Sequence, residues 1–252
     1  MNRRTLIVKL SGAALGGLHV FHPPAFRAMA AQVKQLRDSG HRVGLVLGGG
    51  NAYRASESWE CGDYGDLPRT ERDNLGMLAT AMNAQAMTYA LRQIGLPARM
   101  IARQGIAAPL AEPWDEQDLA TTSDVIVVAG GTGQSGVSSD VAAPLLAAAM
   151  GAREIVVAKH NINGVFTSDP NVDHPGRPAA QFLAELTAQD ALDQGLQVMD
   201  REALVLCQQA GCTVRVVSAN DHDAITRVAG GEAVGSTIWP DALPLFTEMR
   251  AV

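Results

Sequence analysis

The stretch VIVVAGGTGQSGVSSD, residues 125–140, decides how the chain folds. Its first five residues, Val125, Ile126, Val127, Val128 and Ala129, are apolar and mostly β-branched, the composition of a strand buried on both faces. Gly130, Gly131, Thr132 and Gly133 break that pattern, and from Ser138, Ser139 and Asp140 onward the residues turn to Ala and Leu at helical spacing. Hydroxyls followed by an acid are the chemistry of a helix N-cap. The stretch therefore predicts strand, glycine loop and helix N-terminus in that order. Such a unit turns backbone N–H groups and the positive end of a helix dipole toward an open crevice, and so suits an anion such as a phosphate.

The same theme recurs on both sides. Strands are predicted over 5–10, 43–47, 98–102, 154–158, 213–218 and 236–239, besides 125–129. Helices are predicted over 25–38, announced by Pro23 and Pro24, and over 73–94, 114–120, 139–150, 188–194, 200–209 and 224–229. The polar residues between Arg54 and Arg72 read as a surface excursion, and 171–178 as a polar loop. Strands alternating with helices predict an α/β fold: a mainly parallel twisted sheet with helices on both faces, a three-layer sandwich. With 252 residues and 47% hydrophobic content the chain can bury one full core, read as a single domain whose halves are about 1–150 and 151–252.

Composition excludes several functions. A net charge of −6 with no run of basic residues argues against a nucleic-acid partner. No apolar run spans a bilayer, and the N-terminus shows no signal-peptide pattern, so a cytoplasmic protein is expected. Cys61, Cys207 and Cys212 lack metal-ligand spacing and read as thiols of a reducing compartment; no residue is assigned to a metal. Only three of the 20 basic residues are lysines, Lys9, Lys34 and Lys159. Lys9 ends the first strand beside a glycine, which makes it the first candidate for a phosphate-binding cation. Arg54, just past a glycine triplet, is the second.

Seven motifs in register give the chain a resemblance to the amino acid kinase superfamily, and within it to bacterial UMP kinases. They are Lys9-Leu10-Ser11-Gly12; Gly48-Gly49-Gly50-Asn51 with Arg54; Asp73 with Gly76-Met77-Leu78-Ala79-Thr80 and Asn83; Gly131-Thr132-Gly133 with Asp140; Asn163-Gly164-Val165-Phe166 with Asp169-Pro170; Val198-Met199-Asp200; and Gly231-Glu232 with Gly235. The resemblance implies phosphoryl transfer from ATP, with Mg²⁺, to UMP. It implies Lys9, Arg54 and Asp140 in catalysis, with Asp140 orienting Lys9 or helping to hold Mg²⁺. Gly49, Asp73, Thr132, Gly133, Ser138 and Ser139 would face the acceptor, Asp73 through the ribose hydroxyls with N-capping as a competing role. Lys9, Ser11, Gly12, Gly50, Arg54, His160, Phe166 and Asp169 would face ATP. Nucleotides are the implied partners, and a homo-oligomer, a hexamer in the bacterial enzymes, the implied assembly.

The chemistry fits those pieces. A nucleoside monophosphate has a second phosphate pKa near ~6, so its attacking oxygen is largely ionised at neutral pH and needs no general base. What the site must supply is relief of repulsion between two polyanions: N–H cradles, a few cations and a metal ion. The chain also departs from the family. Ala13 stands where a glutamate is usual. Gln134-Ser135-Gly136-Val137-Ser138-Ser139 replaces a run containing two phenylalanines, and His160 and Asn163 replace threonine and aspartate. An altered acceptor pocket leaves two alternatives open: a kinase for another small acid, and a non-catalytic nucleotide- or oxyanion-binding protein of the molybdenum storage kind.

Overall fold

Burial of the first strand on both faces sets the architecture. A computed structural model describes residues 3–16, 19–53, 67–104, 109–172 and 179–240. In chain order the strands are β1 (Thr5–Leu10), β2 (Arg42–Leu47), β3 (Ala98–Ala102), β4 (Glu112–Pro113), β5 (Val125–Val128), β6 (Glu154–Lys159), β7 (Val165–Phe166), β8 (Phe182–Leu183), β9 (Glu185–Thr187), β10 (Thr213–Ser218) and β11 (Ser236–Trp239). The helices are α1 (Pro23–Asp38), α2 (Arg69–Gln93), α3 (Glu116–Thr121), α4 (Ala142–Met150), α5 (Ala188–Asp193), α6 (Arg201–Gln209) and α7 (Ala224–Ala229). A nine-stranded sheet runs β4-β3-β5-β2-β1-β6-β10-β11-β9, with β7 and β8 forming a separate hairpin. All its neighbouring pairs are parallel except β10 with β11. The expected mainly parallel sheet, helices covering both faces, is therefore what forms.

Alternation along β1 divides the core in two. Leu6, Val8 and Leu10 point into one layer, against Phe26, Met29 and Val33 of α1, Met87 and Leu91 of α2 and Ile225 of α7. Ile7 points into the other, against Leu146 of α4, Leu204 and Cys207 of α6 and Leu192 of α5. β1 is flanked by β2, the next strand in the chain, and by β6, from which the chain builds the other half of the sheet. The carboxyl end of β1 is therefore a switch point, the place where open α/β sheets bind ligands. Lys9 shares the parity of Ile7, so it faces the α4 layer.

Several boundaries moved, each for a local reason. Helix α1 starts two residues before the expected Ala25 because both prolines fit the first turn. Helix α2 starts at Arg69 rather than Asp73; Arg69 to Arg72 carry no apolar periodicity, and Pro68 is the residue that caps it. Asp73 therefore lies inside the helix and does not cap it. The expected 114–120 helix is Glu116–Thr121, because Asp115 caps it by accepting from the N–H groups of Gln117 and Asp118. The helix expected from Ser139 opens as a 3₁₀ turn, Ser139–Val141, and becomes α-helical at Ala142. Pro144 has no N–H to return to the Asp140 carbonyl, so an α-turn cannot begin earlier. Strands β4, β7, β8 and β9 were not expected, being two or three residues long, below the reach of a periodic signal. Residues 54–66 and 173–178 lie outside the described residues, so most of the 54–72 excursion, most of the 171–178 loop, and Arg54 and Cys61 do too. Among the described residues no helix is long and apolar enough to cross a membrane.

Arg42, at the start of β2, fastens the ends of two helices. Its guanidinium donates to Thr122 O (3.0 Å), Leu119 O (2.7 Å) and Met150 O (3.2 Å), carbonyls that the C-termini of α3 and α4 leave unmatched. Replacing Arg42 by alanine strands all three. Arg42→Ala is expected to lower unfolding stability by about 2–4 kcal/mol, read as a shift in urea midpoint at unchanged slope.

Candidate active site

At the switch point the Lys9 ammonium lies 2.7 Å from Asp140 Oδ1, with the side chains only 9% and 19% exposed. The pair meets because β1 aims Lys9 at the α4 layer while the Ser138-capped 3₁₀ turn sets Asp140 at the head of that layer. The second Asp140 oxygen accepts the Asp200 N–H at 3.0 Å, which gives the Val198-Met199-Asp200 motif a structural meaning. Burial works to raise the Asp140 carboxyl. The Lys9 charge and hydrogen bond, the Asp200 N–H and the more distant Lys159 outweigh it and hold the group below its ordinary value.

The glycine loops fit against one another rather than standing free. A Cβ on Gly12 would lie 2.3 Å from Gly50 N, so the β1 and β2 loops touch as backbone. Asn83, wholly buried on α2, donates to Gly48 O at 2.7 Å and exchanges amide hydrogen bonds with Asn51. Gly131, at φ +58°, takes the left-handed turn that brings the β5 loop back over Ser139.

Two sets of clefts open around these loops. One, of about 360 Å³, is lined by Gly49, Asp73, Gly131, Ser138 and Ser139, together with Tyr53 and Met77. Asp73 there accepts the Ser135 hydroxyl (2.6 Å) and the Gly136 N–H (2.7 Å), so it binds the altered 134–139 loop. Thr132 is buried, and its hydroxyl oxygen accepts the Gln134 N–H at 3.3 Å, while Gly133 packs on Gln104. In the other set, a cleft of about 590 Å³ holds Lys9, Ser11, Asp140 and Lys159. Beside it a cleft of about 400 Å³ holds Lys159, Phe166 and Asp169. Phe166 makes an edge-to-face contact with Phe182 at 5.5 Å. His160 is separated from these two residues: it follows Lys159, so strand alternation turns it to another cleft, with His22 and His222.

The arrangement suits anion handling. The Ser11 hydroxyl is buried with no partner among the described residues, a donor free for a phosphate oxygen. Cys207 and Cys212 are buried and free, and burial pushes both thiols up, so neither offers a thiolate nucleophile at neutral pH. Among the described residues no cluster of three His, Cys, Asp or Glu could hold a metal ion. Sequence reading singled out Lys9 and Asp140 but passed over Lys159, Tyr53 and the Asp200 N–H. For Lys159 the signal was present, a rare lysine at a strand end. For a backbone N–H and an isolated tyrosine there was none.

Comparison with known proteins gives one consistent result. Residues 4–218 match the model described as "Amino acid kinase family". The uridylate kinase of Pediococcus pentosaceus is 34% identical over 240 residues, 93% of this chain and 96% of that protein. The crystal structure of UMP kinase from Bacillus anthracis superposes with TM-score 0.85 at 29% identity, over 95% of this chain and 97% of that one. The crystal structure of UMP kinase from Ureaplasma parvum gives TM-score 0.83 at 27% identity, over 95% and 100%.

The Asp140 pair carries a pH dependence of known sign. A carboxyl held below its ordinary value of 3.8 stabilises the fold fully above that value and loses the contribution as pH falls through the depressed one. At pH 7 Asp140→Asn is expected to cost about 3 kcal/mol, since it leaves the Lys9 ammonium buried without its partner. The gap between wild type and variant in urea unfolding should narrow as pH is lowered from 4 toward 3. A gap that widens instead would show that Asp140 is not the charged partner.

Proposed function

The chain belongs to the amino acid kinase family, and on that premise we infer that it transfers the γ-phosphoryl group of ATP to UMP, giving UDP and ADP. The observation that carries this is the Lys9–Asp140 ion pair in the cleft that also holds Ser11 and Lys159, next along the chain to Ser138 and Ser139 of the cleft that holds Asp73. Gly49, Asp73, Ser138 and Ser139, with Thr132 and Gly133 in the same loop, serve the acceptor; Asp73 exchanges its Ser135 and Gly136 partners for ribose hydroxyls. Ser11, with the Gly12 and Gly50 backbone, Phe166 and Asp169 serve ATP, and Arg54 adds a second cation; His160, turned into the cleft it shares with His22 and His222, is left out of that set. In this reading the acceptor half is about 1–150 and the ATP half about 151–252.

A UMP phosphate oxygen attacks the γ-phosphorus while the bond to the β–γ bridging oxygen breaks and ADP departs. No residue need remove a proton. Lys9 stabilises charge on the transferring group, and Asp140 holds the lysine in place against burial. Mg²⁺ would suit this lining as an ion carried on the nucleotide, held mostly by phosphate oxygens and water, with the carboxylates of Asp140 and Asp200 lining the Lys9 cleft. The metal supplies charge neutralisation. The cytoplasm is the place for this chemistry, consistent with two free, buried thiols.

Assembly through α2 belongs to the same reading. Ala79 and Met87, two of the small or flexible residues that mark this helix, are buried. Leu75, Leu78, Met82 and Tyr89 instead remain 38%, 45%, 47% and 61% exposed along one stripe at spacings of a helix seam. A homo-oligomer packs this seam against its copy, and the hexamer of the bacterial enzymes is the expected end state. Met82→Glu combined with Leu78→Glu should reduce the mass in light scattering toward the 26.5 kDa of one chain. An unchanged mass would move the interface elsewhere.

The activity is tested by UMP-dependent ADP release, and the site by Lys9. Lys9→Ala should lower kcat by about 10²-fold or more with ATP affinity much less affected. Lys9→Arg should rescue poorly, because a planar guanidinium cannot occupy the ammonium's position. Wild type that binds ATP but phosphorylates no nucleoside monophosphate would remove UMP as the acceptor. A Lys9→Ala variant with undiminished kcat would displace Lys9 from the chemistry.

A further inference from the structure

Lys159 has no part in the roles assigned above, yet it stands on the wall between the two donor-side clefts and lines both. It ends β6, the strand paired with β1. Lys9 is in register with Val157, and Lys159 lies two residues further along. Residues two apart share a face and advance by about 6.6 Å, so the two lysines project from the same side of the sheet, one step apart along the cleft. One leads to Asp140 and the acceptor, the other to Phe166 and Asp169.

The charges around Lys159 are unbalanced. Its ammonium donates to the Gln197 carbonyl, which leaves further N–H donors. Asp140 is already spent on Lys9, and Arg201, the other cation on these walls, donates to Leu192 O. Among the described residues no carboxylate forms an ion pair with Lys159; Asp140 and Asp169 act on it only through space. Burial pushes the ammonium below its usual range, those two carboxylates oppose the shift, and Lys9 adds to it. A half-buried cation held by one carbonyl is a poor structural device, because a lone neutral acceptor does not offset the cost of burying charge. An arriving polyphosphate does.

We propose that Lys159 is a ligand of the terminal phosphates of ATP, its ammonium turning from the Gln197 carbonyl onto the phosphate oxygens one step behind Lys9. The assignment rests on the reading of the chain as ATP-dependent and adds a second lysine to the donor site. Two ammonium groups then flank the bond that breaks, Lys9 on the transferring group and Lys159 on the departing diphosphate.

The test is Lys159→Met, which keeps the length and apolar stem and removes the charge, with Lys159→Gln as a second variant should the first fail to fold; melting temperature reports which variants are folded. ATP and adenosine, both with Mg²⁺ present, are titrated against wild type and variant, and kcat and KM are measured with each substrate varied. ATP affinity should fall about 10- to 100-fold, the loss of a charge-assisted hydrogen bond, while adenosine binding and the KM for UMP stay within about twofold. Unchanged ATP affinity, or an equal loss for adenosine and ATP, overturns the assignment, as does wild type that binds no ATP. Wild type that binds ATP without phosphorylating UMP defeats the activity reading alone, and the ATP titration still decides Lys159.

Discussion

Everything in this site depends on one ammonium being held at the end of the central strand. Lys9 is 7% exposed in a strand whose neighbours are wholly buried, and a lone charge there would cost several kcal/mol. Asp140 offsets that cost, and Asp140 is fixed in turn by the Asp200 N–H. The three residues come from β1, the turn before α4 and the residue before α6, so the pair exists only when the central strand, α4 and α6 are all in place. The site is thereby made conditional on the fold, and a lysine that would otherwise wander is aimed at one point in the cleft.

The glycines around it serve contact more than flexibility. The β1 and β2 loops approach so closely that a methyl group on Gly12 would overlap the Gly50 nitrogen. Asn83 then ties the Gly48 carbonyl to α2, and Asn51 completes the arrangement. Backbone brought this near fixes the two loops against each other at the end of the central strands, the place where an α/β sheet receives a phosphate. The rigidity comes from the asparagine pair, a small buried polar network in which both amides are matched.

The acceptor side shows the opposite economy. In the loop at 134–139 Ser135 and Gly136 both bind Asp73. A carboxylate so bound is pre-positioned on α2, but it must change partners to meet a sugar. Among the described residues nothing comparable closes the space on the donor side, where Lys159 and Ser11 have donor capacity to spare.

The order of strands and helices, the glycine loops and the importance of Lys9 were legible in the sequence, because they depend on local patterns: apolar runs, turn residues and a rare lysine at a strand end. Strand boundaries at 5–10, 98–102, 213–218 and 236–239 fell where the apolar pattern ends, and the structure has the same limits. The start of α2 was not legible, since its first turn is polar and exposed and leaves no periodic trace. Nor was the partner of Asp73, which lies 62 residues away across a loop. Only the tertiary structure decided that Lys9 faces Asp140, that Lys159 lines both donor clefts while His160 turns away, and that the α2 stripe stays uncovered. Those outcomes follow from strand parity, sheet order and helix packing together, and a linear pattern specifies the first without the other two.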